Sequence, residues 1–160
     1  MDLRLSPEQE QLVEAFAGLF AKESSPEDVR AAEPLGFDRV LWDHLVEQGI
    51  VAMAVGEDAG GWGASLLDLA LVAEQVGRFT ASAPVVDTQA AARLLARLEG
   101  DAAGQALAAA VSGEQIITMA VRSTAGDRAL LVPAAAFLDR MDATSCPIEM
   151  TKFPWLSSTG

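Results

Sequence analysis

The chain has 160 residues, of which 51% are hydrophobic and 21% charged, and its formal net charge is −12 at pH 7. A chain of this size and apolar content removes roughly two-thirds of its unfolded surface from water, which excludes an intrinsically disordered tail. Eleven Lys and Arg in so acidic a chain exclude nucleic-acid and membrane-surface binding, which both need clustered cations.

The acidity is concentrated toward the amino end. Residues 1–113 carry 18 acidic and 7 basic side chains, and residues 114–160 carry 5 and 4. Composition changes at the same place, from Ala/Leu/Glu-rich to Ile/Thr/Val/Pro-rich. A domain boundary is therefore expected at Gly113, with a helical domain over 1–113, a partial β-domain over 114–141 and an unassigned tail over 142–160.

Ser6, Pro7 and Gln9 form a helix start, with an N-cap, a proline at the first helical position and a capping-box glutamine. Leu12, Val13, Phe16, Leu19 and Phe20 then recur on one helical face. Ser25 and Pro26 repeat the start signal for a short second helix ending near Ala32. Asp38 caps a third, with Leu41, Trp42, Leu45 and Val46 inward and Gly49 as its stop. Residues 50–55 are an apolar link, either extended or buried coil. Residues 56–63 hold four glycines and predict a loop. Ser65 opens a fourth helix over 66–76, ended by Gly77, whose near-continuous Leu/Ala/Val content predicts burial on most sides. A fifth helix is expected over 88–98 and a sixth over 102–111, stopped by Gly113. Residues 115–121 are a β-branched run of strand length, and residues 129–132 a possible return strand. The fold class is thus mainly α: a bundle of about six helices followed by the incomplete start of a β-domain.

Little in the chain is built for chemistry. The loop Gly60-Gly61-Trp62-Gly63 follows no strand and lacks a Lys-Ser/Thr partner, so it is read as structural, with Trp62 packed over the bundle, rather than as a phosphate cradle. Trp42 belongs to the core. His44 is a surface or half-buried residue whose neighbours Asp43 and Glu47 solvate the helix face. Cys146 lacks a flanking His or cation to activate it and is an inert thiol. One cysteine and one histidine make neither a disulfide nor a metal site, which fits a reducing cytoplasm. No apolar run reaches the ~18 residues of a spanning helix, and the amino end lacks the layout of a signal peptide. No catalytic residue and no metal ligand are assigned.

Three stretches carry a resemblance. Leu5-Ser6-Pro7-Glu8-Gln9-Glu10 opens the first helix. Gly49-Ile50 leads through Glu57-Asp58-Ala59-Gly60-Gly61-Trp62-Gly63-Ala64-Ser65 to Ala73-Glu74-Gln75-Val76-Gly77-Arg78. Gly113-Glu114-Gln115-Ile116-Ile117-Thr118-Met119-Ala120-Val121 follows the sixth helix. In this order they resemble the N-terminal helical domain of the acyl-CoA dehydrogenase family, running into its middle β-domain.

The resemblance implies an FAD-dependent oxidoreductase that removes hydrogens from Cα and Cβ of an acyl-CoA thioester, with a carboxylate taking the α-proton. It implies that Thr80, Val85, Val86 and Asp87 contribute to the bottom of the acyl slot; a helix cap is the competing role for Asp87. It sets Val121, Arg122, Ser123 and Thr124 where the family contacts flavin. Arg122 departs from the family's threonine there, and the family's Glu-Pro pair is absent. Arg78 is either a CoA-phosphate contact or an exposed arginine at a helix end. The family's base and most of its dimer contacts belong to later segments, so the expectation is a truncated form, inactive alone, in a homo- or hetero-oligomer. The alternative is a non-catalytic helical interaction module, or a partner subunit of a heteromeric acyl-CoA dehydrogenase, suggested by the unpaired strand edge after Val132.

Overall fold

Ser6 stands in extended backbone before the first helix, α1 (Pro7–Glu23), and its hydroxyl accepts the Gln9 amide at 3.3 Å. The Gln9 side chain in turn accepts the Ser6 amide at 3.1 Å, which completes the expected capping box. These and the following details come from a computed structural model, which describes residues 4–33 and 35–119. Ser25 with Asp28 opens α2 (Pro26–Ala32), and Ser65 with Asp68 opens α4 (Leu66–Arg78), by the same reciprocal pattern. Asp38 caps α3 (Arg39–Glu47) by accepting the Val40 and Leu41 amides at 2.9 and 3.1 Å. Each such cap is worth about 1 kcal/mol, because it satisfies amides that have no intrahelical partner.

The remaining helices are α5 (Val85–Leu95) and α6 (Asp101–Val111), so the described residues form six α-helices, mainly helical as expected. α5 begins a turn earlier than the sequence pattern suggests. Pro84 occupies its N-cap position, and the Thr88 amide donates to the Pro84 carbonyl at 3.0 Å. Asp87 is therefore inside the first helical turn, where it complements the helix dipole without capping it. α4 runs through Gly77 to Arg78, and the chain reverses at Thr80, a non-glycine residue with φ of +51°.

The link over 50–55 takes the buried-coil form. All six residues are buried, with a 3-10 turn at Ala52–Ala54. A buried coil must find partners for its backbone, and the glycine-rich loop supplies them. The amides of Trp62, Gly63 and Ala64 donate to the carbonyls of Ala52, Val55 and Met53 at 3.0, 2.8 and 3.1 Å. Gly61 allows this approach: a Cβ there would lie 2.6 Å from the Ala52 carbonyl oxygen and closer still to that of Val55. Trp62 covers Gly49, where a side chain would run into the indole ring, yet 56% of the tryptophan remains exposed.

The core joins Phe16 and Phe20 of α1, Leu41, Trp42 and Leu45 of α3, the buried link, Val72, Val85, Ala92 and Leu107. Phe20 stacks between Phe16 and Phe79, with ring centroids 6.1 and 6.4 Å away. α1 packs most extensively on α4, and α5 on α6 and the 3-10 turn of the link. α4 departs from expectation: Leu69, Leu71, Val72 and Gln75 are buried, but Leu66 and Leu67 at its start are exposed, as is Ala70. Its apolar content thus serves one buried side and one open side.

After α6, Ile116 and Ile117 pack partly against the core without forming a strand, and no strand occurs among the described residues. The expected hairpin beyond residue 119, the flavin positions Val121, Arg122, Ser123 and Thr124, Cys146 and the tail lie outside the described residues.

Candidate functional site

The four residues assigned to an acyl slot occupy the α4–α5 connection and the first turn of α5, and they point to different surroundings. Val85 is a core residue, 1% exposed. Val86, the next residue, is 48% exposed and lines a groove between α4 and α5. Thr80 is exposed at the left-handed turn, and Asp87 is half-buried. The connection itself is held from both sides. The Asp38 amide donates to the Ser82 carbonyl at 2.7 Å, and the Ser24 hydroxyl to the Phe79 carbonyl at 3.3 Å. Arg78 lies over the Phe79 ring, 5.7 Å from its centroid, a cation–π contact that anchors the end of α4.

The groove has a volume of about 480 Å³. Its walls are Leu66, Leu69, Ala70 and Ala73 from α4, Val86, Gln89, Ala90, Arg93 and Leu94 from α5, and Arg97 from the turn that follows α5. α5 presents these residues because they recur every three or four positions, along one helical face. Gln89 is buried and uses its side-chain amide to donate to the Ile50 carbonyl at 2.8 Å. Arg93 reaches under the groove toward the Ala54 and Ala64 carbonyls, at 3.5 and 3.4 Å.

Gln75, Gln89 and Thr88 are buried polar residues whose burial the sequence pattern does not predict. Their signal is a polar residue inside an otherwise apolar helical stripe. Gln89 has the partner just given. The Gln75 Oε1, Thr88 Oγ1 and Trp42 Nε1 atoms are buried without a hydrogen-bond partner among the described residues, as is Thr118 Oγ1. No Asp or Glu is buried among the described residues.

The titratable groups that do shift are at helix ends. The Ser65 hydroxyl and the Gln9 amide hold the Asp68 carboxyl below its ordinary value. Hydrogen bonding from Ser6 does the same for Glu8, and from Ser25 for Asp28. His44 is exposed, as expected, but its partner is Glu23 at the end of α1 rather than Asp43 or Glu47. Its Nδ1 lies 2.5 Å from the Glu23 carboxylate, which raises the imidazole and lowers the carboxyl. Among the described residues no cluster of His, Cys, Asp and Glu is suited to a metal ion, and no helix is long and apolar enough to cross a membrane.

Among the described residues, a six-helix array with these start signals and this clamped glycine loop defines a helical domain. Residues 6–120 match the family model described as acyl-CoA dehydrogenase, N-terminal domain, and the chain belongs to the acyl-CoA dehydrogenase family. It is similar to acyl-CoA dehydrogenase IpdE2 of Mycobacterium tuberculosis, 39% identical over 115 residues that cover 69% of this chain and 36% of that protein. The IpdE2 of Mycolicibacterium smegmatis is 42% identical over 87 residues, covering 52% of this chain and 28% of the relative. Acyl-CoA dehydrogenase FadE27 of M. tuberculosis is 34% identical over 107 residues, covering 64% of this chain and 29% of the relative. The chain thus spans about a third of the length of the curated relatives it matches. No solved structure matches it.

Proposed function

We infer that this chain supplies the helical, acyl-facing part of an FAD-dependent acyl-CoA dehydrogenase, acting on the α,β-bond of an acyl-CoA thioester. The observation that carries this reading is the family match over residues 6–120. The chain works in a homo- or hetero-oligomer in the cytoplasm.

An isoalloxazine needs flat apolar contact together with hydrogen-bond donors aimed at its polar edge. The α4/α5 groove offers apolar walls, but its cations lie at one end and its backbone amides are engaged in helices. These residues therefore do not fit a flavin, and the positions assigned to it by resemblance are Val121, Arg122, Ser123 and Thr124. When bound, FAD accepts the hydrogen removed from the substrate. The part of this chain in that reaction is to bound the far end of the acyl group with Thr80, Val85, Val86 and Asp87.

The test is an amide chemical-shift titration of the full chain with octanoyl-CoA, alongside a dye-linked dehydrogenase assay. Shifts confined to residues 80–87, with colourless and inactive protein, are expected. Unmoved amides in that segment would remove the acyl-facing role. Yellow protein that turns over the thioester would show that this chain itself carries a flavin site and a base. The second reading, a non-catalytic interaction module, is favoured by the open side of α4 and its groove.

A further inference from the structure

We propose that the α4/α5 groove is a docking surface for an amphipathic, carboxylate-bearing helix of a partner subunit. The argument starts from what the groove lacks. Residues 1–113 carry 18 acidic and 7 basic side chains, yet the groove lining contains two arginines and no acid. Both cations are at one end. Arg93 reaches the Ala64 carbonyl just before α4 begins, and Arg97 follows one turn later, in the turn after α5, exposed and outside the ion pairs formed among the described residues. The rest of the lining is apolar. An occupant must therefore be apolar along most of its length and anionic at one end.

Openness decides between a helix and a small amphiphile. Small-molecule sites bury most of their ligand in a concave pocket. Here the rim residues stand out in solvent: Leu66 is 71% exposed and Leu94 38%. Ala70, Ala73 and Ala90 keep the floor shallow between them. Small residues flanked by protruding leucines form the notch into which the ridge of another helix fits. α4 has 13 residues, hence a length of about 20 Å, which matches an occupant of three to four turns.

This inference goes beyond the dehydrogenase reading and needs neither flavin nor thioester. Its experiment avoids residues 80–87, so the two readings fail separately. The probe is a fluorescein-labelled 18-residue helical peptide with leucines along one face and two glutamates at one end; a second peptide carries lysines instead. Fluorescence anisotropy with the full chain is expected to show the glutamate peptide binding at least tenfold more tightly than the lysine peptide. Ala70→Glu, on the exposed floor, should abolish binding, while circular dichroism confirms the fold. Arg97→Glu should invert the preference between the peptides. Equal binding of both peptides, or no binding of either, overturns the proposal. Binding of dodecyl phosphate that Ala70→Glu abolishes, without peptide binding, assigns the groove to a small anionic lipid instead. Sedimentation that shows a dimer lost in Ala70→Glu assigns it to a second copy, and overturns it equally.

Discussion

The side-chain amide of Gln89 donates to the main-chain carbonyl of Ile50 at 2.8 Å, and both residues are buried. This bond joins the buried link to α5 across 39 positions of sequence. Gln89→Leu preserves most of the volume but leaves the Ile50 carbonyl without that donor. The expected loss is about 1–3 kcal/mol, the usual result of stranding a buried polar group. Urea denaturation should show a lower midpoint with an unchanged slope; an unchanged midpoint would refute the assignment.

Thr80 has φ of +51° and an exposed side chain. A β-branched residue is costly there, whereas asparagine tolerates the left-handed region. Thr80→Asn should therefore raise stability by about 1 kcal/mol. Thermal unfolding followed by circular dichroism checks this, and a lower Tm would mean that the hydroxyl has a structural role.

The Glu23–His44 pair gives stability a sign with pH. The imidazole is raised in the folded chain, so its contribution is complete below the ordinary histidine value and is lost as pH rises through the raised one. Glu23 is lowered, so its contribution holds above the ordinary glutamate value and is lost as pH falls through the lowered one. The pair thus favours the fold most between the two ordinary values. Glu23→Gln should have a Tm below that of the parent at mildly acidic pH, and the difference should vanish in mild alkali. A difference that grows toward alkali would reverse the assignment.

Gly60 and Gly61 are adjacent but not equivalent. At Gly60 a Cβ meets open space, and only the positive φ of +82° resists it, so Gly60→Ala should cost about 1 kcal/mol. At Gly61 the Cβ would strike the carbonyls of Ala52 and Val55, which cannot retreat because the link is buried. Gly61→Ala should cost about 3 kcal/mol or more. Paired denaturation curves decide it, and similar midpoints for the two variants would contradict the clamp.

Helix starts were the most legible part of the fold, because Ser6, Ser25, Asp38 and Ser65 act on amides two or three residues away, and local chemistry is written locally. The start of α5 was misplaced because Pro84 fills the N-cap position without a side-chain oxygen, leaving only a weak signal in sequence. The role of the glycine loop was half legible. Four glycines announce a loop, but the carbonyls it serves belong to a link whose burial only tertiary packing decides. The groove was hidden for a related reason: the apolar surplus of α4 reads as deep burial, and nothing local shows that Leu66 and Ala70 face outward. Glu23 was missed as the partner of His44 because the two are 21 positions apart and meet only when α1 and α3 pack.

The Gln9 side chain does more than close its own capping box: its amide nitrogen donates to Asp68 at 3.0 Å, and Asp68 caps α4. The first turn of α1 is thereby wired to the helix that forms one wall of the groove, two residues beyond the exposed Leu66. An affinity tag fused just ahead of Ser6 is consequently not a remote handle. By crowding Gln9 it would loosen the rim of the very surface a binding experiment is meant to probe.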